Sequence, residues 1–238
     1  MIKTKVMENQ QDYILSTGQT QVLLTGYFGD GCIVGNGKNK YYKASSINKD
    51  ILVVKKMLLG DLTKGVIKNK SNSGGFGENS IYVLSSITTH IITHFDKISL
   101  KDKFNLIDEL GIALMIYDDG SLHKKNQFYN ICTHSQSYEF QRDVMIPKLN
   151  SFGIYPKITT ERKKDGREFY YLRVGRHEGS FIISEILRKY PVEGMEYKMW
   201  SSETSREWRK LQVELKSEKR VVSRRGFTNE INRRLSMI

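Results

Sequence analysis

The chain has 238 residues and a formal net charge of +12, with a sequence pI of about 9.5. Its hydrophobic content of 39% is ordinary for a folded protein and argues against global disorder. No apolar run approaches the roughly 18 residues of a membrane span, and the two cysteines provide neither a disulfide framework nor the spacing of a zinc site. The excess of positive charge favours an anionic partner, with nucleic acid as the leading candidate.

The first half of the chain alternates between helical and extended patterns. Residues 1–19 are polar, and Thr17 or Thr20 could cap the apolar helix that follows and ends at Gly31. The next predicted elements are a ribbon at 32–49, a packing helix at 50–59, a hairpin at 66–87 and a short helix at 88–95. Glycines between residues 71 and 77 mark the loop of that hairpin.

The second half repeats this order. The predicted elements are a helix at about 103–118, a ribbon at 121–135, a helix at 138–152, a hairpin at 155–174 and a closing helix at 178–190. Pro147 could interrupt the middle helix, and Asp165–Gly166 predicts a two-residue hairpin turn. One more helix is predicted from about Ser202 to Lys219.

The two halves share a nine-residue pattern. Residues 23–31 (LLTGYFGDG) and 112–120 (IALMIYDDG) are apolar runs that both end in Asp-Gly. Aligned residue for residue, Asp30 corresponds to Asp119, at an offset of 89 residues that suits a small α/β unit. The pattern therefore predicts two similar units, each built on one of these helices, with both acids meeting at the end of the helix pair.

These paired motifs resemble the signature helices of the LAGLIDADG homing endonucleases, in the single-chain form that carries two copies. The resemblance covers roughly residues 20–200. It implies an α/β (α+β) fold of two pseudo-symmetric αββαββα repeats, with the signature helices paired at the interface and saddle-shaped antiparallel sheets that bind DNA. The repeats would span residues 1–100 and 101–198, followed by a basic, largely helical tail at 199–238.

The resemblance also implies a metal site. In this family the eighth position of the motif is the metal-binding acid, which corresponds to Asp30 and Asp119. Gly29 and Asp118 are expected to add backbone carbonyls or outer-sphere contacts. Two acids brought together repel each other, and a bound Mg²⁺ (or Mn²⁺) relieves this repulsion, since hard divalent cations favour oxygen ligands. Such an ion can activate water and stabilise a leaving oxygen, as phosphodiester cleavage requires.

A basic residue near each active site is a further feature of the family. There it orders the water network or offsets the charge of the phosphate. Lys97, which precedes the second signature helix, and Lys198, at the corresponding place in the second half, are the catalytic lysines that the resemblance implies. Taken from the sequence alone, a lysine after a helix is equally compatible with an ordinary solvated side chain.

Basic and amide side chains decorate the predicted ribbons. Two-stranded ribbons fit the major groove of B-DNA, where such side chains read base edges or hold phosphates. The predicted DNA-binding residues are Lys38, Lys40, Lys43, Lys68, Lys70, Lys124, Lys125, Gln127, Asn130, Lys157, Arg162, Lys164, Arg167, Arg173 and Arg176.

The leading hypothesis is a monomeric, site-specific endonuclease that cuts both strands of duplex DNA with a divalent metal. The resemblance implies short 3′ overhangs. Alternatives are an intron RNA-splicing maturase or a non-cleaving DNA-binding protein on the same scaffold, and an unrelated basic RNA-binding module. Retention of both acids favours the nuclease, although binding of intron RNA is compatible with it.

Two further expectations concern the compartment and the tail. With few cysteines and no secretory signal, we expect an intracellular protein of a bacterial or phage-infected cell, or of an organelle. The arginine-rich tail could follow DNA phosphates beside the core site. Alternatively, its helix packs on the second unit through Trp200 and Trp208.

Overall fold

The computed structural model describes residues 14–70, 81–175 and 178–217, and the chain forms two compact units. The first unit comprises the described residues up to Asp119 together with Tyr190–Met195. The second comprises the described residues from Gly120 to Lys189 and those from Glu196 onward. Each unit contains one four-stranded antiparallel sheet, which confirms the predicted α/β class with its repeated helices and hairpins.

Helix α1 (Thr17–Phe28) begins with a capping box in the first unit. The Ser16 hydroxyl accepts a hydrogen bond from the Gln19 N–H at 3.1 Å, and the Gln19 side-chain oxygen accepts one from the Ser16 N–H at 2.9 Å. The prediction that Thr17 or Thr20 caps this helix was therefore wrong, because Ser16 is followed three residues later by the glutamine that completes the box.

Sheet 1 lies in the first unit and has the strand order β1-β2-β4-β3. Its strands are β1 (Gly31–Val34), β2 (Tyr41–Ser46), β3 (Thr63–Lys70) and β4 (Ile81–Ser86). The hairpin predicted at 66–87 corresponds to β3 and β4, and its predicted glycine-rich loop lies outside the described residues. Tyr42 and Ala44 are buried while Lys43 between them is half-exposed, so one face of β2 is turned to the core.

Helix α2 (Lys49–Leu59) packs against α1 and sheet 1. Asn48 caps its first turn by accepting from the Asp50 N–H, and the helix ends at Gly60, where φ is +53°. Glycine adopts this left-handed backbone at little cost. The buried face of α2 is formed by Ile51, Leu52, Lys55 and Leu59.

The second signature helix is separate from the helix before it. The short helix predicted at 88–95 corresponds to α3 (His90–Asp96). A single helix over about 103–118 was predicted next, but the chain forms two helices there, α4 (Leu100–Asn105) and α5 (Glu109–Asp119). The break has a polar cause. Gln21 of α1 donates to the Leu106 carbonyl at 3.0 Å, and the Asp108 carboxylate accepts from the Gly111 N–H at 3.0 Å, which starts α5.

Helices α1 and α5 pack against each other inside the first unit. Both are buried along most of their length, including Val22, Leu23 and Leu24 on α1 and the run from Gly111 to Tyr117 on α5. A Cβ atom at Gly111 would lie 2.1 Å from Gln21 Oε1, so the helices approach closely at this point. Because both helices are buried along most of their length, this pair lies in the core of the first unit.

Sheet 2 lies in the second unit and repeats the strand order of sheet 1, as β5-β6-β8-β7. Its strands are β5 (Gly120–His123), β6 (Phe128–Ile131), β7 (Pro156–Arg162) and β8 (Glu168–Val174). The turn between β7 and β8 differs from the two-residue turn that was predicted. The Gly166 N–H donates to Lys163 O, the Lys163 N–H donates to Arg167 O, and Gly166 has φ of +83°. These bonds define a three-residue loop with glycine in the left-handed position, a common hairpin alternative.

The helix predicted at 138–152 contains a change of pitch. It consists of α6 (Tyr138–Phe140), a π-helical segment (Gln141–Met145) and α7 (Ile146–Asn150), with Pro147 in the first turn of α7. The proline lacks an N–H and its ring displaces the carbonyl four residues earlier. The wider π-helical turn lies immediately before it, so the helix continues past the proline.

Helices α8 (Glu178–Lys189) and α9 (Ser202–Ser217) complete the second unit. Trp200 and Trp208 are only 2% and 1% exposed, and the centres of their rings are 5.7 Å apart. Phe181 of α8 lies 5.9 Å from each of them. The helix of the tail is thus packed within the second unit, in agreement with one of the two alternatives predicted from the sequence.

Among the described residues, no helix has both the length and the apolar character that a membrane span requires.

Replacing Trp208 by alanine is expected to destabilise the second unit by about 3–5 kcal/mol, because the substitution empties a closely packed aromatic cluster. Val213→Ala on the same helix is the control, since Val213 is 67% exposed and a surface change of this kind costs no more than about 0.5 kcal/mol. Urea unfolding followed by far-UV circular dichroism measures the difference. Equal stability of the two variants would contradict the packed position of α9.

Candidate functional site

The ends of α1 and α5 meet in the first unit. The Asp30 N–H donates to Asp118 Oδ2 at 3.1 Å. A Cβ atom on Gly29 would lie only 2.4 Å from the same oxygen. The backbone of Gly29 is extended, with φ of −158° and ψ of −160°, so glycine is required by lack of space. The structure thus brings the predicted residues Gly29, Asp30 and Asp118 into one cluster, and Asp119 follows directly in the chain.

A buried lysine that was not predicted completes this cluster. Lys55 Nζ lies 2.7 Å from both carboxylate oxygens of Asp118, and the two side chains are 1% and 2% exposed. Sequence analysis missed Lys55 although a signal was present. Lys55 stands four residues after Ile51 and four before Leu59, within the apolar stripe of α2, where a charged residue needs a partner.

The cluster keeps Lys55 charged. Burial alone would lower the pKa of Lys55, but the neighbouring Asp118 carboxylate raises it above its ordinary value. Tyr42 and Asp30 act in the same direction. Burial also raises the pKa of Tyr42, whose hydroxyl lies 2.7 Å from Thr25 Oγ1 on α1. An ammonium and a carboxylate are therefore held together inside the core.

The donors at the helix ends are oxygens, which suit a hard divalent cation such as Mg²⁺ or Mn²⁺. Asp30 is exposed and Asp119 is half-buried at the last residue of α5. The Asp118 carboxylate is different, because both of its oxygens are engaged by Lys55. The Asp118 side chain therefore does not fit a direct ligand, and the outer-sphere or backbone-carbonyl role expected of Asp118 stays a prediction.

No group of three or more His, Cys, Asp or Glu side chains is arranged as a metal site in the described parts of the chain. A cation at the ends of α1 and α5 would depend on the carboxylates of Asp30 and Asp119. Its remaining ligands would be backbone carbonyls, water and the oxygens of a bound phosphate. Such a partly open coordination shell is usual for Mg²⁺ at phosphate sites.

The predicted lysines lie in different units. Lys97 is exposed at the end of α3 in the first unit, together with Asp30 and Asp119. Its neighbour Asp96 accepts a hydrogen bond from the Tyr27 hydroxyl on the last turn of α1, so the chain beside Lys97 is tied to that turn. Lys198 is buried in the second unit, where its carbonyl accepts from the Tyr129 hydroxyl at 2.7 Å.

The predicted DNA-binding lysines of the first unit differ in their surroundings. Lys38 is exposed in the loop between β1 and β2, and Lys43 is half-exposed on β2. Lys40 forms an ion pair with Asp96. Burial opposes the charge of Asp96, but the pairing with Lys40 holds its pKa below the usual value. In the backbone register of the sheet, Lys68 pairs with Val83 and Lys70 pairs with Ile81.

Sheet 2 has one buried face and one open face. Tyr129, Ile131, Leu172 and Val174 are buried, so the residues that alternate with them lie on the open face. Arg173 lies at the centre of that face. Its Nε donates to Asn130 Oδ1 at 3.0 Å and its Nη2 donates to the Tyr171 hydroxyl at 2.8 Å. The guanidinium also lies 4.8 Å from the centre of the Phe128 ring, so three neighbouring side chains hold the arginine in place.

The remaining predicted basic residues surround this face. Lys157 is exposed on β7 opposite Arg173, and Lys124 and Lys125 are exposed in the loop after β5. Gln127 ends that loop with a left-handed backbone (φ +51°) and donates to Lys124 O at 2.6 Å.

The β7–β8 hairpin carries the last of these residues. Arg162 pairs with Glu168 and Arg167 pairs with Asp165, while Lys164 is exposed. Exposed pairs of this kind are weak, at about 0–1 kcal/mol, and a phosphate can replace the carboxylate. Arg176 lies outside the described residues.

The solved structures to which this chain is similar include homing endonucleases. The homing endonuclease I-WcaI bound to its DNA recognition sequence matches with a TM-score of 0.61 and 16% sequence identity, over 79% of this chain and 89% of that chain. Mesophilic variants of the homing endonuclease I-DmoI match with a TM-score of 0.48 and 15% identity, over 72% of this chain and 96% of theirs. No family model and no curated protein matches the sequence.

The likeness to I-WcaI shows the fold of this chain. Its two antiparallel sheets and paired apolar helices form the homing endonuclease fold. The resemblance to LAGLIDADG homing endonucleases that the paired motifs indicated is therefore confirmed at the level of the fold.

Gly29→Ala is expected to destabilise the first unit by about 1–3 kcal/mol, because the added methyl group overlaps the Asp118 carboxylate and must push α1 and α5 apart. Gly26→Ala on the same helix is the matched control. Its Cβ would meet the flexible Ile33 side chain at 3.3 Å and the Tyr42 ring at an ordinary contact distance of 3.5 Å, and alanine favours the helix by about 1 kcal/mol over glycine. Thermal unfolding of both variants should show a loss for Gly29→Ala alone. Equal melting temperatures would contradict the close contact.

Proposed function

We propose that this protein is a metal-dependent endonuclease that recognises a specific site in duplex DNA and hydrolyses a phosphodiester bond in each strand. The observation that carries the proposal is the meeting of the α1 and α5 ends, where the Asp30 backbone is bonded to Asp118 next to Asp119. The fold supports it, since I-WcaI, a homing endonuclease, is described bound to its DNA recognition sequence. The net charge of +12 supports a polyanionic substrate.

Within this proposal Asp30 and Asp119 hold a divalent cation, Mg²⁺ or Mn²⁺. The bound cation would supply Lewis-acid chemistry, lowering the pKa of water and stabilising charge on the leaving 3′ oxygen. The Gly29 and Asp118 carbonyls complete the oxygen-rich surroundings. One acid from each signature helix suits an enzyme that cuts two strands, because each strand can be served by a different carboxylate.

Lys97 and Lys198 are proposed to assist at the phosphate. The exposed Lys97 ammonium can approach a phosphate and offset its charge. The chain around Lys97 is held by the bond from Tyr27 to Asp96, which keeps the lysine close to the last turn of α1. Lys198 is buried in the second unit. A role for it requires that its ammonium be reached by the substrate, and this remains a prediction from the resemblance.

Duplex recognition is assigned to the two sheets. Antiparallel ribbons fit the major groove, and arginine paired with guanine is the most common specific contact there. Arg173 is suited to this role because its neighbours already fix its guanidinium, so little side-chain freedom is lost on binding. The exposed lysines at the rim of sheet 2 are suited to phosphates, which position the duplex without reading its sequence. Monomeric action and short 3′ overhangs are carried over from the resemblance.

Asp30→Asn and Asp119→Asn are each expected to abolish double-strand cleavage and to leave most of the DNA affinity, because the lost charge belongs to metal binding and the affinity comes mainly from phosphate contacts. Glu193→Gln, an exposed acid of the first unit, is the control and should cleave normally. The measurement is cleavage of a duplex selected from a randomised DNA library, in Mg²⁺ and in Mn²⁺, with affinity determined in Ca²⁺. Normal cleavage by both aspartate variants would rule out this mechanism.

The joint substitution of Lys124 and Lys157 by alanine is expected to weaken binding to selected and unrelated duplexes by similar factors. Each lost phosphate contact should flatten the slope of log affinity against log salt by about 0.9. Lys49 and Lys101, exposed on helices α2 and α4, provide a control pair with the same change in net charge. Fluorescence anisotropy over a range of salt concentrations measures the slopes. If both pairs alter the slope equally, sheet 2 is not the DNA-binding surface.

A further inference from the structure

The ion pair between Lys55 and Asp118 lies where the backbone just after α1 is hydrogen-bonded to a side chain of α5, from the Asp30 N–H to Asp118 Oδ2. Both charged groups are almost wholly buried. Asp118 Oδ2 accepts from Lys55 and also from the Asp30 N–H. One carboxylate therefore connects three elements, namely α2 through Lys55, the end of α1 through Asp30, and α5 through its own backbone.

Stability alone does not account for a buried pair at this position. Removing two charges from water is costly, and well-packed apolar side chains of similar size are often equally stable or more so. Lys55 stands in the apolar stripe of α2, between positions occupied by isoleucine and leucine. A leucine or methionine would satisfy the packing there. The charge of Lys55 consequently points to a role in the polar cluster at the helix ends.

Lys103, another buried lysine of the described chain, has different partners. Its ammonium donates to the carbonyls of Asp96 and Ile98 at 2.7 and 2.6 Å, which is a structural contact in the turn after α3. Lys55 differs from Lys103 because its partner is a carboxylate adjacent to a candidate metal ligand.

The pair has two consequences for the neighbouring acids. First, it fixes the position of the Asp118 carboxylate. The hydrogen bond from the Asp30 N–H to this carboxylate then fixes the position of Asp30 after the end of α1. Second, it neutralises the charge of Asp118. The cluster of Asp30, Asp118, Asp119 and Lys55 carries a formal net charge of −2, which matches a single divalent cation. Lys55 also occupies both oxygens of the Asp118 carboxylate, so this carboxylate cannot coordinate the cation directly.

We propose that Lys55 is a positioning residue of the nuclease site, which acts through Asp118 to hold Asp30 in register with Asp119 and to keep the Asp118 carboxylate from binding the metal. This inference rests on the proposed function, because it assigns Lys55 to the site that function requires. It adds a residue of helix α2 to a site otherwise built from the two signature helices.

Three variants and a control test the proposal: Lys55→Met, Asp118→Asn, the double variant Lys55→Met/Asp118→Asn, and Lys56→Met. Lys56 is the adjacent residue on α2 and is half-exposed. The rate of cleavage is measured at saturating duplex, in single turnover, at a temperature well below the melting point of each variant. The dissociation constant for the duplex is measured separately in Ca²⁺.

Lys55→Met is expected to cleave about 100-fold more slowly at saturating duplex, the effect of a displacement of about 1 Å in a catalytic group. Its duplex affinity should change less than about threefold, since phosphate contacts are untouched. The double variant removes both charges and retains an oxygen that can accept from the Asp30 N–H. It should recover about tenfold and remain about tenfold below the wild type, since only the ammonium fixes the acceptor. Lys56→Met should behave as the wild type.

A spectroscopic readout separates this proposal from the proposed function. The Asp30 amide resonance in a ¹H–¹⁵N spectrum reports its hydrogen bond to Asp118 without requiring cleavage. It should move in Lys55→Met and stay unchanged in Lys56→Met. If the wild type cleaves no duplex and the resonance still moves as expected, the proposed function fails while the positioning by Lys55 stands.

Three results would overturn the role of Lys55. The first is cleavage by Lys55→Met at the wild-type rate on saturating duplex. The second is an unchanged Asp30 amide resonance in that variant. The third concerns the cleavage rate of the double variant. A rate equal to that of Lys55→Met would mean that the two charges are not coupled, and a rate equal to that of the wild type would mean that neither charge is needed. If Lys55→Met does not fold, the double variant is compared with the wild type instead, by the rate of cleavage and by the position of the Asp30 amide resonance.

Discussion

The close packing of α1 against α5 is the constraint on which the first unit depends. Both helices are buried along most of their length, so their flanks admit no charge without a partner, and the charged residues of α5 lie at its two ends. At one end, the Gln21 side chain donates to the Leu106 carbonyl and accepts from the Asp108 N–H, and the Asp108 carboxylate accepts from the Gly111 N–H. At the other end Gly29 leaves room for the Asp118 carboxylate. The apolar contact therefore dictates where chemistry can occur.

Much of this arrangement could be predicted from the sequence, because apolar periodicity and repeated turn residues are local signals. The matching Asp-Gly ends of the two motifs led directly to Asp30 and Asp119, and the alternating runs led to the hairpins. The Lys55–Asp118 pair could not be derived, since the two residues are 63 positions apart and meet only in the folded core. The separation of α4 from α5 was missed for the same reason, because Gln21 supplies the partner for the Leu106 carbonyl.

Sheet 2 shows how a basic surface is kept ordered before any partner binds. Its hairpin arginines pair with acids only a few residues away, as in Arg162 with Glu168 and Arg167 with Asp165. These local pairs limit the repulsion between like charges on a chain of net charge +12. Arg173 is held differently, by an amide, a hydroxyl and an aromatic ring. Exposed ion pairs thus surround an arginine whose guanidinium is held in place by its neighbours.

The aromatic cluster of Phe181, Trp200 and Trp208 has a consequence for how the two units can be observed. The sequence contains two tryptophans, and both are buried in the second unit. Intrinsic tryptophan fluorescence therefore reports the second unit alone, while the tyrosines and the peptide absorption report both. With indole rings 5.7 Å apart, the near-ultraviolet dichroism of the second unit should also carry an exciton signal that disappears when α9 detaches. The order in which the two units unfold can thus be followed in the intact chain without any label.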